Sequence, residues 1–243
     1  MSKVVIVTGG SRGIGAATAK LLATKGYAVC VNYLANRERA DDVVDSITRE
    51  GGRAFAYQAD VSSEIDVIRL FDAAEARYGN VTHLVNNAGI LFTQSKLVDI
   101  DLERFSQVLN SNVVSCFLCS REAVRRFQAG GVIVNVSSLA SQTGSPFEYV
   151  DYAASKGAMD TLTKGLSREV AAAGIRVNAV RPGFIYTDMH ADGGEPGRVD
   201  RLAPQIPMQR GGAAEEVANT IAWLLSDEAS YVTGAFMDVA GGR

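Results

Sequence analysis

Short β-branched runs alternate along this chain with longer stretches whose apolar residues recur at three- and four-residue spacing. Val4–Val7 predicts a strand, and a helix follows from about Gly13 with Ile14, Ala17, Leu21 and Leu22 on one face. Ala28–Asn32 predicts a second strand, and Val43, Val44 and Ile47 mark a charged helix after it. Ala54–Gln58 reads as a third strand, Val67, Leu70, Phe71 and Ala74 as the next helix, and His83–Asn86 as a fourth strand. From Leu102 to Phe127 the pattern is mainly helical, with Phe105, Leu109, Val113 and Phe117 in four-residue steps. Gly131–Val136 is an apolar run interrupted only by Asn135. A helix over Tyr152–Val170, a strand over Ile175–Val180, a helix carrying Val217, Ile221, Leu224 and Leu225, and a strand at Phe236–Val239 complete the series.

Continuously apolar strands separated by helices imply a parallel sheet covered on both faces. Right-handed crossovers then make it a doubly wound α/β fold of the Rossmann type. No repeat, low-complexity tract or Pro/Gly/Ser linker divides the chain, so residues 1–243 are expected to form a single dinucleotide-binding domain. Residues 188–210 depart from the pattern. They hold Gly193, Gly194, Pro196, Gly197, Pro204 and Pro207 with few periodic apolar positions, and read as a substrate loop or lid.

Composition narrows the function. The chain is 47% apolar and 21% charged with a formal charge of −3, which suits a large core and argues against nucleic-acid binding by charge. No stretch approaches the roughly 20 apolar residues of a membrane span. The apolar run after Met1-Ser2-Lys3 is too short for a secretory leader. An odd set of cysteines, Cys30, Cys116 and Cys119, suits a reducing, cytoplasmic setting. Cys116-Phe117-Leu118-Cys119 has a C-x-x-C form, but its apolar surroundings favour core packing. His83 and His190 lie far apart, so no metal site is expected.

Thr8-Gly9-Gly10-Ser11-Arg12-Gly13-Ile14-Gly15 follows a strand and opens a helix. Glycines admit a pyrophosphate close to the backbone, and a helix N-terminus offers free N–H groups to it. The second strand ends in Val31-Asn32-Tyr33 without the carboxylate that would bond a ribose 2′-hydroxyl. Arg12, Arg37 and Arg39 are near enough to meet a 2′-phosphate. NADP(H) is therefore favoured over NAD(H).

The second chemical signal is Tyr152-Ala153-Ala154-Ser155-Lys156, preceded by Ser137-Ser138. On a helix, Tyr152 and Lys156 share a face. A cation there favours the phenolate of a group whose ordinary pKa is roughly 10.

Together these residues resemble the short-chain dehydrogenase/reductase family, over essentially the whole chain. The motifs are Thr8-Gly9-x-x-x-Gly13-x-Gly15, Asp60-Val61, Asn86-Asn87-Ala88-Gly89, Asn112, Ser138, Tyr152-x-x-x-Lys156 and Pro182-Gly183 with Thr187. The uncharged strand end and the Gly-Gly-Ser-Arg loop look most like the bacterial NADPH-using ketoreductase and sugar-dehydrogenase branches. The resemblance implies Asn112, Ser138, Tyr152 and Lys156 as the catalytic set, with Tyr152 exchanging a proton with the substrate oxygen. It implies that Ser11, Ile14, Asn32, Asp60, Val61, Asn86, Ala88 and Gly89 lie along the cofactor. Lys156 is implied on the nicotinamide ribose, Asn112 on a water behind it, and Pro182, Gly183, Ile185 and Thr187 at the nicotinamide end. It further implies a small-molecule substrate and a homo-oligomer, tetramer or dimer, to which the face near Val113 and Phe117 is suited. Ser138 lies one residue further from Tyr152 than in many members, so the loop Gly144–Tyr149 is expected to be longer, and Tyr149 is a second phenol near the site. Ala140, Gln142, Glu148, Tyr149, His190 and Glu195 are candidates for the substrate wall. The alternative reading is a non-catalytic dinucleotide-binding redox sensor.

Overall fold

The computed structural model describes residues 3–128 and 130–243; the reading of Met1 and Ser2 as the start of a leaderless chain lies outside them. In chain order the main elements are β1 (Val4–Val7), α1 (Gly13–Thr24), β2 (Ala28–Tyr33), α2 (Arg37–Arg49), β3 (Arg53–Gln58), α3 (Glu64–Tyr78) and β4 (His83–Asn86). Then come α4 (Leu102–Leu109), a π-helical turn (Asn110–Val114), α5 (Ser115–Arg126), β5 (Gly131–Val136), the short α6 (Ala140–Thr143), α7 (Val150–Glu169) and β6 (Ile175–Pro182). The short α8 (Met189–Asp192) and α9 (Arg198–Leu202), then α10 (Ala214–Leu225) and β7 (Phe236–Val239), complete it.

Among the described residues seven strands form one sheet in the order β3-β2-β1-β4-β5-β6-β7, each neighbouring pair parallel. Helices cover both faces, so β1, β2 and β4 are buried along their whole length. One apolar layer lies under α1, α2 and α10, the other under α3 and α5. The strand order reverses between β1 and β4. The carboxyl ends of these strands therefore open a crevice, the place where such sheets bind ligands.

Asn86 and Asn135, which interrupt the apolar strands β4 and β5, are register partners. Asn86 Nδ2 donates to Asn135 Oδ1 at 2.9 Å and to Ser120 Oγ at 2.9 Å, and Asn135 Nδ2 donates to Thr163 Oγ1 at 2.8 Å. This chain of amides ties α5 to α7 through the sheet. Cys30, Cys116 and Cys119 are buried in the interior, where loss of hydration pushes all three thiols up.

Two elements differ from expectation. The stripe Phe105–Leu109–Val113–Phe117 is half-buried at best, with Phe117 44% exposed. The buried positions from Phe105 to Cys119 are Val108, Asn112, Ser115, Cys116, Leu118 and Cys119. The π turn at Asn110–Val114 rotates the phase of the helix, so a regular four-residue step does not follow its inner face. Residues 188–210 are ordered into α8, α9 and a 3₁₀ turn at Ala203–Gln205, each too short to leave a period in the sequence.

Candidate active site

The crevice has a volume of about 510 Å³ and begins at the glycine loop. Gly9 and Gly13 have φ of +59° and +53°, the left-handed region that suits glycine. A Cβ on Gly9 would stand 3.0 Å from Ala88 Cα. Asn87 braces the loop: its Nδ2 donates to the carbonyls of Thr8 and Gly9, each at 3.0 Å. Thr8 Oγ1 accepts from the N–H groups of Asn87 and Ala88. Above this brace α1 begins with no side-chain cap and no acidic residue in its first turn. By contrast α2, α3 and α4 are capped by Asn36, Ser63 and Asp101. The opening N–H groups and positive dipole end of α1 are thus left to whatever occupies the crevice.

Of the expected cofactor residues, Gly9, Ser11, Arg12, Gly13, Ile14, Asn32, Asp60, Val61, Ala88, Gly89 and Thr187 line the crevice. Three are placed elsewhere. The Asn86 side chain is buried in the amide chain below the crevice, and the neighbouring Asn87 faces it instead, because successive strand residues point to opposite sides. Gly15 lies behind the wall, where a Cβ would come within 2.5 Å of Asn87 Nδ2 and Gly9 O. Arg37 is on the exposed side of α2, paired with Asp41 at 3.3 Å. Arg39 is the arginine of that turn that reaches the crevice, and it pairs with Asp188 at 2.6 Å. Arg12 pairs with Asp192 at 2.5 Å. Asn32 is committed: its Oδ1 accepts from Gly9 N at 3.2 Å and its Nδ2 donates to Ala59 O at 3.0 Å.

The crevice runs into a second pocket of about 450 Å³, with Ile14, Asn87, Thr187 and Met189 lining both. Ser138, Tyr152 and Lys156 line this pocket, with Pro182, Gly183 and Ile185 at its floor. Lys156 Nζ lies 5.5 Å from the centre of the Tyr152 ring and donates to Val136 O at 2.8 Å. Burial pushes the Tyr152 phenol up to about 12, opposed by its hydrogen bond with Ser138. Burial also holds Lys156 down, to about 8, against the pull of Cys116 and Asp160.

Asn112 is fully buried in the π turn. Its Oδ1 accepts from Ile90 N at 2.8 Å, and its Nδ2 donates to Ile90 O at 3.0 Å and Ser155 Oγ at 2.9 Å. Gly89 sits before it, where a Cβ would meet Asn112 Oδ1 at 3.1 Å and Lys156 Nζ at 3.5 Å.

Ala140, Glu148, Tyr149 and His190 line the second pocket; Gln142 and Glu195 do not. Tyr149 is buried and its hydroxyl donates to Gly193 O at 3.3 Å. Sequence reasoning missed Arg198, only 4% exposed, which bonds both oxygens of Glu148 at 2.9 and 2.5 Å and Glu195 at 3.0 Å. Its i−3 partner Glu195 is an ordinary local pair, and its bidentate partner Glu148 lies 50 residues away, where no local pattern marks it. The long loop between α6 and α7 carries left-handed φ at Gly144 (74°), Ser145 (43°) and Phe147 (66°), costly for an aromatic residue.

Comparison with known proteins bears on the family and the fold. A family model described as Enoyl-(Acyl carrier protein) reductase matches residues 9–243. The uncharacterised oxidoreductase YgfF of Escherichia coli is 62% identical, covering 99% of both chains. A 3-oxoacyl-[acyl-carrier-protein] reductase of Staphylococcus aureus is 38% identical over 100% of this chain and 98% of its own. Among solved structures, a short-chain dehydrogenase/reductase from Serratia marcescens has a TM-score of 0.91 at 37% identity, covering 99% of this chain and 97% of its own.

Proposed function

We propose, from the premise that the chain belongs to the short-chain dehydrogenase/reductase family and is an oxidoreductase, that it moves a hydride between NADP(H) and a carbonyl or secondary alcohol of a small molecule. The observation that carries this reading is the meeting of Ser138, Tyr152 and Lys156 where the glycine-lined crevice enters the second pocket.

The crevice fits a nicotinamide dinucleotide: α1 opens uncapped, and the Gly9 backbone has room only without a Cβ. When bound, that group supplies or accepts the hydride. Ser11, Arg12, Gly13 and Ile14 would hold its phosphates and Asp60 and Val61 its adenine. Arg12 and Arg39 would hold a 2′-phosphate, which supports NADP(H). Their partners Asp192 and Asp188 are substantially exposed, and such ion pairs contribute only about 0–1 kcal/mol, so a phosphate exchanges with them at small cost.

Tyr152 gives a proton to the substrate oxygen in reduction and takes one in oxidation. The phenol is protonated at neutral pH, as the acid role requires, and burial raises its pKa further. Ser138 hydrogen-bonds the same oxygen and stabilises charge developing there. Lys156 supplies positive charge beside the phenol and would bond the ribose hydroxyls. Residues 188–210 act as the substrate loop, held over the pocket by Arg198 and Glu148. The half-exposed apolar row from Phe105 to Phe117 supports a homo-oligomer, and the three buried free thiols support a cytoplasmic setting.

The test is NADPH oxidation with a panel of ketones, aldehydes, sugars and 3-oxo esters, the last included because of the named 3-oxoacyl reductase relative. Tyr152→Phe should lower turnover by roughly 10²–10⁴-fold while NADPH still binds. Turnover within about tenfold of wild type would contradict the acid/base role. A wild-type protein that binds NADPH but turns over nothing would point instead to a dinucleotide sensor.

A further inference from the structure

Tyr152 stands in the first turn of α7, whose N-cap residue, Tyr149, provides no side-chain cap. The backbone of Tyr152 is nevertheless held on both sides. Its N–H donates to Asp151 Oδ1 at 2.9 Å, and its carbonyl accepts from Ser155 Oγ at 2.6 Å. Each of these side chains has a second partner on the helix that runs through α4 and the π turn. Arg104 Nε donates to Asp151 Oδ2 at 2.7 Å, and Asn112 Nδ2 donates to Ser155 Oγ at 2.9 Å. Both partners also grip the segment between β4 and α4: Arg104 Nη1 donates to Thr93 O at 2.8 Å, and Asn112 exchanges two hydrogen bonds with Ile90.

The Arg104–Asp151 pair is largely shielded from water, with side chains 17% and 1% exposed. Arg104 Nη2 is buried with no partner among the described residues. A buried ion pair of this kind is poor evidence of stabilisation, since desolvation offsets much of the attraction. Its geometry is specific, because a planar guanidinium fixes the directions of its donors.

Resting on the catalytic reading above, we infer that Arg104 is a positioning residue: through Asp151 it holds the turn carrying Tyr152 in register with the helix carrying Asn112. Asn112 and Ser155 form one rung between those helices, and Arg104 and Asp151 form the other. Tyr152 lies between the rungs, so loss of the Arg104–Asp151 rung, neither member of which lines the dinucleotide crevice, lets the phenol swing from the substrate oxygen while that crevice keeps its shape.

The experiment compares wild type with Arg104→Met, Arg104→Lys, Asp151→Ala and Asp151→Asn. It measures steady-state reduction of a carbonyl that wild type accepts, NADPH affinity by fluorescence, and hydrogen exchange of the Tyr152 amide without substrate. Arg104→Met and Asp151→Ala should lower kcat roughly tenfold to a hundredfold, the scale of a misplaced reacting group, with carbonyl KM and NADPH Kd within about twofold. Their Tyr152 amide should exchange faster. Asp151→Asn keeps an acceptor for that amide and should recover most of kcat. If Arg104→Met does not fold, Arg104→Lys decides. A single ammonium lacks the fork that reaches Asp151 and Thr93 together, so a loss of roughly fivefold in kcat is expected. Unchanged kcat in the folded variants overturns the inference, whether or not exchange rises. A loss expressed in KM or NADPH affinity also overturns it. A wild type with no turnover on any carbonyl defeats the catalytic reading instead, and the exchange rates then decide alone whether Arg104 holds the turn.

Discussion

The two ends of the crevice are made of different material. At the dinucleotide end the phosphate cradle is backbone: one short run, Thr8–Gly15, braced by Asn87 and left open by an uncapped helix. At the reacting end it is side chains, brought by the end of β5, α7, the segment after β6 and the loop that carries Arg198. A backbone surface responds to whether a Cβ fits. A side-chain surface responds to which proton or charge is removed. Substitutions at the first end should therefore change binding, and those at the second should change the chemical step.

The sharpest contrast is expected between Ser138→Ala and Gly9→Val. Removing the Ser138 hydroxyl should lower kcat by roughly 10²–10³-fold, the cost of losing one donor to a developing oxyanion, with NADPH affinity unchanged. A weakened NADPH Kd in that variant would blur the division. Gly9→Val forces a β-branched residue to φ of +59° and into Ala88, and should weaken NADPH binding by roughly 1–3 kcal/mol while leaving kcat at saturation near wild type. Titration by fluorescence separates the two effects.

Arg39→Ala should be milder. Losing one charge-assisted hydrogen bond of about 1.5–3 kcal/mol should reduce the preference for NADPH over NADH roughly tenfold to a hundredfold, measured as a ratio of kcat/KM values. Arg37→Ala, outside the crevice, should leave that ratio unchanged.

The smallest expected effect is one of pH. Lys156 is held down to about 8, so its ammonium is largely intact at pH 7 and falls to about a tenth by pH 9. NADPH Kd should therefore rise as pH passes through 8. Lys156→Met should bind weakly throughout and lose this inflection.

The same division governed how far the sequence could be read. The strands and the glycine loop were visible because each is a local pattern: a buried parallel strand is an unbroken apolar run, and a phosphate cradle is glycine between a strand and a helix. Tyr152 and Lys156 were visible because one helical turn joins them. Asn86 was misplaced because a polar residue at a strand end looks the same whether it turns toward ligand or core. Only its partner Asn135, 49 residues on, decides the matter. Arg198 and Arg104 left little signal, since each is fixed by a carboxylate about fifty residues away in the chain, Glu148 and Asp151. The π turn hid the inner face of the helix around Asn112 by breaking the repeat on which periodicity depends.

The strained loop over Gly144–Tyr149 forms part of the mouth of the second pocket, yet α7 does not depend on it for a cap. Tyr152 is anchored from another direction, by Asp151 and Ser155. That separation makes the segment a module. Glu148 apart, whose carboxylate holds Arg198, its length and side chains can change without disturbing the turn that carries Tyr152.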